Sequence, residues 1–264
     1  MTEVTADMVR ELREMTGAPM MDTKRALVDA DGDLEAAKQL LRERGMASAG
    51  KRAGNQTPEG VVLTRLDDAK GTIVAIGSET EPVSKNDEFR AFAEKVLDTV
   101  DKGGPDAVES LEDERKELVG KIGENVLVRG ATRFEGGNSV AIAAYVHPPA
   151  NKIGVLVKAE GSPEAARRLA MHIAFAAPRF ATRDEVPEEE VTKEREIYEK
   201  LPEVESKPEQ AREQIVEGML GKRFFAENVL AEQAWIHEPK KTVAQALEEE
   251  GLKVLEFERY ALAE

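Results

Sequence analysis

The chain has 264 residues, with 37 Lys+Arg against 52 Asp+Glu and a formal net charge of −15. With 41% hydrophobic and 34% charged residues it reads as a highly charged globular protein, long enough to bury a core without staples. The lack of cysteine excludes a disulfide scaffold, a thiolate metal site and a cysteine nucleophile. The acidity argues against nucleic acid as main partner, and with no long apolar run or signal peptide the expectation is a cytoplasmic protein without a membrane partner.

The first block, about Thr5 to Gly45, predicts three short helices. Thr5 is a candidate N-cap, Met8, Leu12 and Met15 form one apolar stripe, and Gly17 is a stop. Pro19 opens a second helix near Met20 to Ala30. Asp33 caps a third, with Leu34, Ala37 and Leu41 as its buried face and Gly45 as its end. Residues 46–59 are Ala-, Gly- and Ser-rich and read as a linker, in which Lys51 and Arg52 are either solvated or turned to an acidic surface.

From Gly60 the period changes to that of strands. GVVLTRL and GTIVAIG flank the turn DDAK, and a helix follows with Asn86 as N-cap and Phe89, Phe92, Val96 and Val100 on one side. The pattern recurs: SVAIAAYVH and KIGVLVKA flank a turn at Pro148-Pro149, and Ser162 caps a helix that starts at Pro163. Two β-hairpin–helix units about 80 residues apart imply a duplicated α+β subdomain. A charged helix, roughly Leu111 to Ile122, and the stretch KIGENVLVRG lie between them. From Val74 to Asn86 is twelve steps, whereas from the equivalent Val155 to Ser162 is seven, so the first copy carries five extra residues within SETEPVSK. Such a loop is either a binding feature on a rigid scaffold or a tolerated insertion. Residues 184–217 read as a protruding helical hairpin with a narrow seam of Val191, Tyr198, Leu201 and Val204, met by Ile215, Val216, Met219 and Leu220. A Thr242-capped helix and a strand, LKVLEFERY, follow, and that strand fits the second sheet.

No catalytic constellation emerges. His147, His172 and His237 are too far apart in sequence for a helical metal pair, and there is no nucleophile elbow or phosphate-binding glycine motif. Carboxylates fall in runs such as 188–190 and 248–250, which are usually solvated faces. His172 reads as a core histidine, His147 as an exposed strand end, and Trp235 as core or an interface anchor. Met20 and Met21, beside the turn at residues 16–19, read equally as core or as an adaptable apolar surface. The residues point to an interaction protein, with neither catalytic residues nor a resident metal or cofactor; an adaptor binding through its helical module and an acidic-site hydrolase are the alternatives.

These segments resemble bacterial elongation factor Ts, the nucleotide exchange factor for elongation factor Tu. ELREMTGAPMMDTKRAL with DADGDLEAAKQLL is similar to the family's amino-terminal module, itself like ubiquitin-associated three-helix domains. ETEPVSKNDEF resembles the loop usually written T-D-F-V-A-K-N. KIGENVLVR, AMHIAFAAPRF, KPEQAREQIVEGML and EPKKTVAQAL match further segments in order. The resemblance implies an α+β fold: a ubiquitin-associated-like domain and linker at 1–54, a core subdomain at 55–137, and a second at 138–264 with a helical-hairpin insertion at about 184–222. It also implies binding to elongation factor Tu, in its GDP-bound and nucleotide-free states, and release of GDP and Mg²⁺ without covalent chemistry. Thr80, Glu81, Pro82 and Val83 would dislodge the partner's Mg²⁺. Arg13, Met20, Met21, Arg52, Ile122, Gly123, His147, Ile236 and His237 would contact the partner. The family's usual Asp-Phe is Glu81-Pro82 here, so the aromatic wedge is replaced by a stiff ring without a backbone donor.

Overall fold

A computed structural model describes residues 4–67, 69–137 and 139–263. The chain falls into two compact units. One holds Met1–Phe134, Val146–Gly154 and Tyr260–Glu264, and the other Glu135–Tyr145 and Val155–Arg259.

The first unit opens with α1 (Ala6–Thr16), α2 (Met20–Asp29) and α3 (Leu34–Arg52). Thr5 caps α1 by accepting from the Met8 N–H, and Gly17 closes it in the left-handed conformation at φ 68°. Leu12, Ala26, Leu27 and Ala37 form the core, with Met8, Leu34 and Leu41 packed against it. Met15, expected in the stripe, is exposed instead.

The expected linker is corrected here: α3 runs past Gly45 to Arg52, so only the part after it is irregular. Gly45 is a contact rather than a stop. It packs on Gly120 so closely that a Cβ on Gly120 would lie 2.4 Å from the Gly45 Cα. Ala49, further along α3, is buried in the core of the first sheet. A good helix former on a buried face carries the helix through a stretch whose small residues imitate a linker.

β1 (Glu59–Leu66) and β2 (Lys70–Ser78) pair antiparallel in the register Glu59↔Ser78 to Leu66↔Gly71. In the expected turn, Asp67 accepts from the Ala69 and Lys70 N–H groups; Asp68 lies outside the described residues. A one-turn helix α4 (Glu81–Ser84) precedes α5 (Asp87–Gly103), which Asn86 caps as expected. Phe89, Phe92, Val96 and Val100 of α5 lie in one core with Val61, Val74 and Ile76. Truncating a fully buried Phe89 to Ala would cost about 3–5 kcal/mol. α6 (Glu112–Ile122) leads into β3 (Val126–Glu135), and the sheet order is β1-β2-β3. KIGENVLVRG therefore supplies the third strand.

A second sheet of order β4-β5-β6 is built from β4 (Val140–Val146), β5 (Ile153–Glu160) and β6 (Lys253–Ala261). The last strand joins it as expected. Ser162 caps α7 (Pro163–Ala176), accepting from the Ala165 N–H. The chain continues through α8 (Glu188–Glu199), α9 (Pro202–Glu205) and α10 (Glu209–Met219), and through a wider π turn over Leu220–Phe225 into α11 (Ala226–Asn228). The expected seam is a fuller core: Tyr198, Val204, Val216 and Leu220 are joined by Phe224, Phe225 and Val229. The Arg183 guanidinium lies 4.2 Å over the Phe225 ring, closing that core with a cation–π contact. α12 (Val243–Glu250) begins with a full capping box, Thr242 and Gln245, and ends at Gly251. The fold is α+β, with amino-terminal helices and two small antiparallel sheets. No helix among the described residues is long and apolar enough to cross a membrane.

Candidate functional site

The five extra residues of the first hairpin–helix unit accommodate the four-residue helix α4. Pro82 sits in its first turn, where the missing N–H would have had no helical partner. Ser84 donates to the Glu81 carbonyl at 2.7 Å, and Arg90 Nε holds the Ser84 carbonyl at 2.7 Å. Val83 is half-buried and packs on the sheet core, whereas Glu81 and Pro82 are exposed. Of the four expected loop residues, Val83 thus anchors and two project. Lys85 reaches back to Glu81 at 2.8 Å, and its hydrogen bond holds the Glu81 carboxyl below the usual carboxylate range. The projecting tip is therefore an ionised carboxylate next to a rigid ring.

Thr80, just before α4, donates its N–H to Glu124 Oε2 at 3.0 Å and its hydroxyl to Glu124 Oε1 at 2.7 Å. Glu79 Oε1 accepts from the Asn125 N–H at 2.6 Å and the Asn55 amide at 3.0 Å, with Arg52 Nη1 at 3.8 Å. Asn125 in turn donates its side-chain amide to the Asn55 carbonyl at 2.9 Å. Burial pushes the Glu79 carboxyl up, but these donors and Arg52 outweigh it and leave it below the ordinary value. Gly123 ends α6 at φ 78°, a left-handed conformation that favours glycine. The end of α3, the start of α4 and the Ile122–Gly123 turn thus meet in one polar knot. The contacts of Glu79, Glu124 and Asn125 escaped the sequence reading, because they join segments more than twenty positions apart and follow no local spacing.

The remaining expected contacts of the first unit are spread out. Met20 and Met21 are 58% and 59% exposed, so they are surface rather than core. At helical spacing they share an exposed stripe of α2 with Lys24 and Val28, beside the buried stripe of Thr23, Ala26 and Leu27. Arg13 is exposed in the last turn of α1. His147 is exposed in the turn after β4, where its N–H donates to the Ile153 carbonyl at 2.9 Å and its carbonyl accepts from Asn151. The peptide Pro148-Pro149 beside it is cis.

In the second unit, Ile236 is half-buried and His237 exposed, and both stand on a buried base. Trp235 is 1% exposed, which settles it as core. Its ring lies 5.1 Å from that of His172 and 4.8 Å from that of His237. Ile236 donates its N–H to His172 Nδ1 at 3.4 Å, and His172 Nε2 meets Gln233 Oε1 at 3.0 Å. The Gln233 amide nitrogen donates to the Ala176 and Glu227 carbonyls, so its oxygen faces the histidine. His172 is thus a neutral ring with its proton on Nε2. Burial pushes its pKa down, which keeps it neutral.

Among the described residues no group of three or more His, Asp or Glu is arranged to hold a metal ion. The features above are surface presentations, suited to binding another macromolecule.

The family model described as Elongation factor TS matches residues 79–264, a span that contains α4, the Glu79, Glu124 and Asn125 side of the polar knot, and the Trp235 turn. An elongation factor Ts from Enterobacter sp. (strain 638) is 41% identical, over 100% of this chain and 93% of the relative. One from Vibrio campbellii is 40% identical with the same coverage, and one from Colwellia psychrerythraea is 40% identical over 99% of the chain and 92% of the relative. At this identity over the whole length, the chain belongs to the elongation factor Ts family.

Proposed function

We propose that this chain is a guanine-nucleotide exchange factor. It binds elongation factor Tu carrying GDP, promotes release of GDP and Mg²⁺, and holds the nucleotide-free partner until GTP enters. No covalent bond is made or broken. The observation that carries this reading is α4, a one-turn helix that presents Glu81 and Pro82 from the end of a buried strand.

The physics is that of linkage. A GTPase holds its nucleotide through a phosphate cradle and a Mg²⁺ ion bridging phosphate oxygens to protein ligands. A factor that binds the nucleotide-free form more tightly lowers nucleotide affinity by the same factor. Such coupling needs anchors that bind every state and an element that competes with the Mg²⁺ environment. Met20, Met21 and Arg13 on the amino-terminal helices, Ile122 and Gly123, His147, and Ile236 with His237 serve as anchors. Arg52 acts through Glu79. Thr80 to Val83 form the competing element, in which a charged Glu81 disturbs the ion's surroundings and Pro82 fills space without reorganising.

The test is release of fluorescent GDP from elongation factor Tu, with this chain added below stoichiometry. Acceleration that saturates with factor and is opposed by excess Mg²⁺ supports the reading. A release rate unchanged across the titration overturns it.

A further inference from the structure

Glu79-Thr80 and Glu124-Asn125 are joined reciprocally. Glu124 accepts the N–H of Thr80, and Glu79 accepts the N–H of Asn125. Each glutamate therefore grips the residue that follows the other. Thr80 precedes α4 but makes no side-chain cap bond to it; its hydroxyl goes to Glu124. A helix of one turn cannot order itself, since nucleation is unfavourable. α4 is fixed at its end by Val83 against the core and by Arg90 on the Ser84 carbonyl, and at its start by this carboxylate clasp. The clasp also ties α4 to Ile122–Gly123, the next expected contact segment along the chain.

We propose that Glu124, assisted by Glu79, is a positioning residue for nucleotide exchange: the reciprocal clasp orders α4 against the Ile122–Gly123 turn before the partner arrives. The inference rests on the exchange reading above. Charge-assisted hydrogen bonds from a carboxylate to N–H and hydroxyl donors are strong enough to set such a geometry. An ordered element raises the competent fraction of complexes and avoids the entropy of ordering at each encounter. Glu124 acts here through Thr80 and needs no partner contact of its own.

The experiment measures stimulated GDP release from elongation factor Tu at increasing factor concentration, separating the maximal rate from the half-saturating concentration. For Glu124→Ala the maximal rate is expected to fall about tenfold, with the half-saturating concentration moving less than about threefold. Thr80→Val, which keeps only the N–H, should lose part of the rate, and Thr80→Ser, which keeps both donors to Glu124, should lose less of it than Thr80→Val. Combining Thr80→Val with Glu124→Ala should cost less than the sum of the two, because they break one contact. A rise in half-saturating concentration at unchanged maximal rate, or full additivity, overturns the proposal. If Glu124→Ala does not fold, the two threonine variants decide it. Amide hydrogen exchange of residues 80–85 in the factor alone separates the clasp from the exchange reading. Faster exchange in Glu124→Ala supports the clasp even where wild type fails to stimulate release, whereas unchanged exchange overturns it.

Discussion

The two β-hairpin–helix units start alike and part company at one point. In the second, β5 reaches α7 through Gly161 and Ser162, a turn so tight that a Cβ at Gly161 would lie 2.9 Å from the Gly251 carbonyl oxygen. In the first, counted from the equivalent positions Val74 and Val155, the connection to the cap of α5 is five residues longer, and it includes a four-residue helical turn that exposes Glu81 and Pro82. The register that pairs Val74 with Val155 also pairs Glu79 with Glu160. Glu79 is gripped by Asn125, Asn55 and Arg52, whereas Glu160 is exposed and meets only the tip of Lys253 at 3.5 Å among the contacts described. One plan thus serves two ends: the second copy closes its connection for packing, and the first opens it to present a side chain and then ties the opening down.

The strongest way to break this comparison is to make the first copy resemble the second. Deleting Glu81 to Ser84 brings the connection within one residue of the second copy's length. It removes the projecting tip and should lower stimulated GDP release at least about 100-fold, roughly 2.7 kcal/mol. Circular dichroism should show the helices retained, since α5 and its core remain. Near-normal stimulation by the folded deletion would show that α4 is a tolerated insertion. The converse test is Gly161→Ala. With φ at 130° and a backbone oxygen in the way, it should destabilise the second unit by about 1–3 kcal/mol, read as a lower urea midpoint. A midpoint equal to wild type would mean that the second connection is not closed by packing.

Much of this was legible in the sequence. Asn86, Ser162 and Thr242 cap the helices their side chains announce, and both hairpins lie where the two-residue period puts them. These are local effects, decided within a few residues. The extra length of the first connection was also countable, but its helical form was not, since α4 is held by partners far along the chain. Gly45 misled for the same reason: a glycine after an amphipathic stretch signals a stop, and only its contact with Gly120 shows that the helix continues. The resemblance supplied the expected partner contacts, and of these the structure exposes Met20, Met21, His147 and His237 among others. Glu79 and Glu124 carried no motif of their own.

A smaller effect is expected from Pro82→Ala. Proline offers little apolar area compared with the aromatic residue usual in the family, so the tip should rely less on burial. Stimulated release should slow less than about tenfold, equivalent to roughly 1.4 kcal/mol. Loss of all exchange with binding retained would make the ring itself the wedge, and the contrast with the second copy would then rest on one side chain.

The smallest expected effect is a dependence on pH, which probes the two equivalent glutamates directly. The Glu79 carboxyl is depressed in the folded chain by the Asn125 N–H, the Asn55 amide and Arg52 acting against burial. A group with a depressed folded value stabilises the fold fully above its unfolded value and loses that contribution as pH falls through the folded one. Urea unfolding of wild type and Glu79→Gln should therefore differ at pH 7, with wild type the more stable. The gap should stay constant down to about pH 5, just above the ordinary carboxylate range, and close below it. Glu160→Gln, at the equivalent place in the second copy, should leave stability within about 0.5 kcal/mol of wild type at pH 7. A gap for Glu79→Gln that persists undiminished at pH 3 would mean that charge is not what holds the clasp. Equal effects at positions 79 and 160 would mean that the first copy's connection is no more tightly tied than the second's.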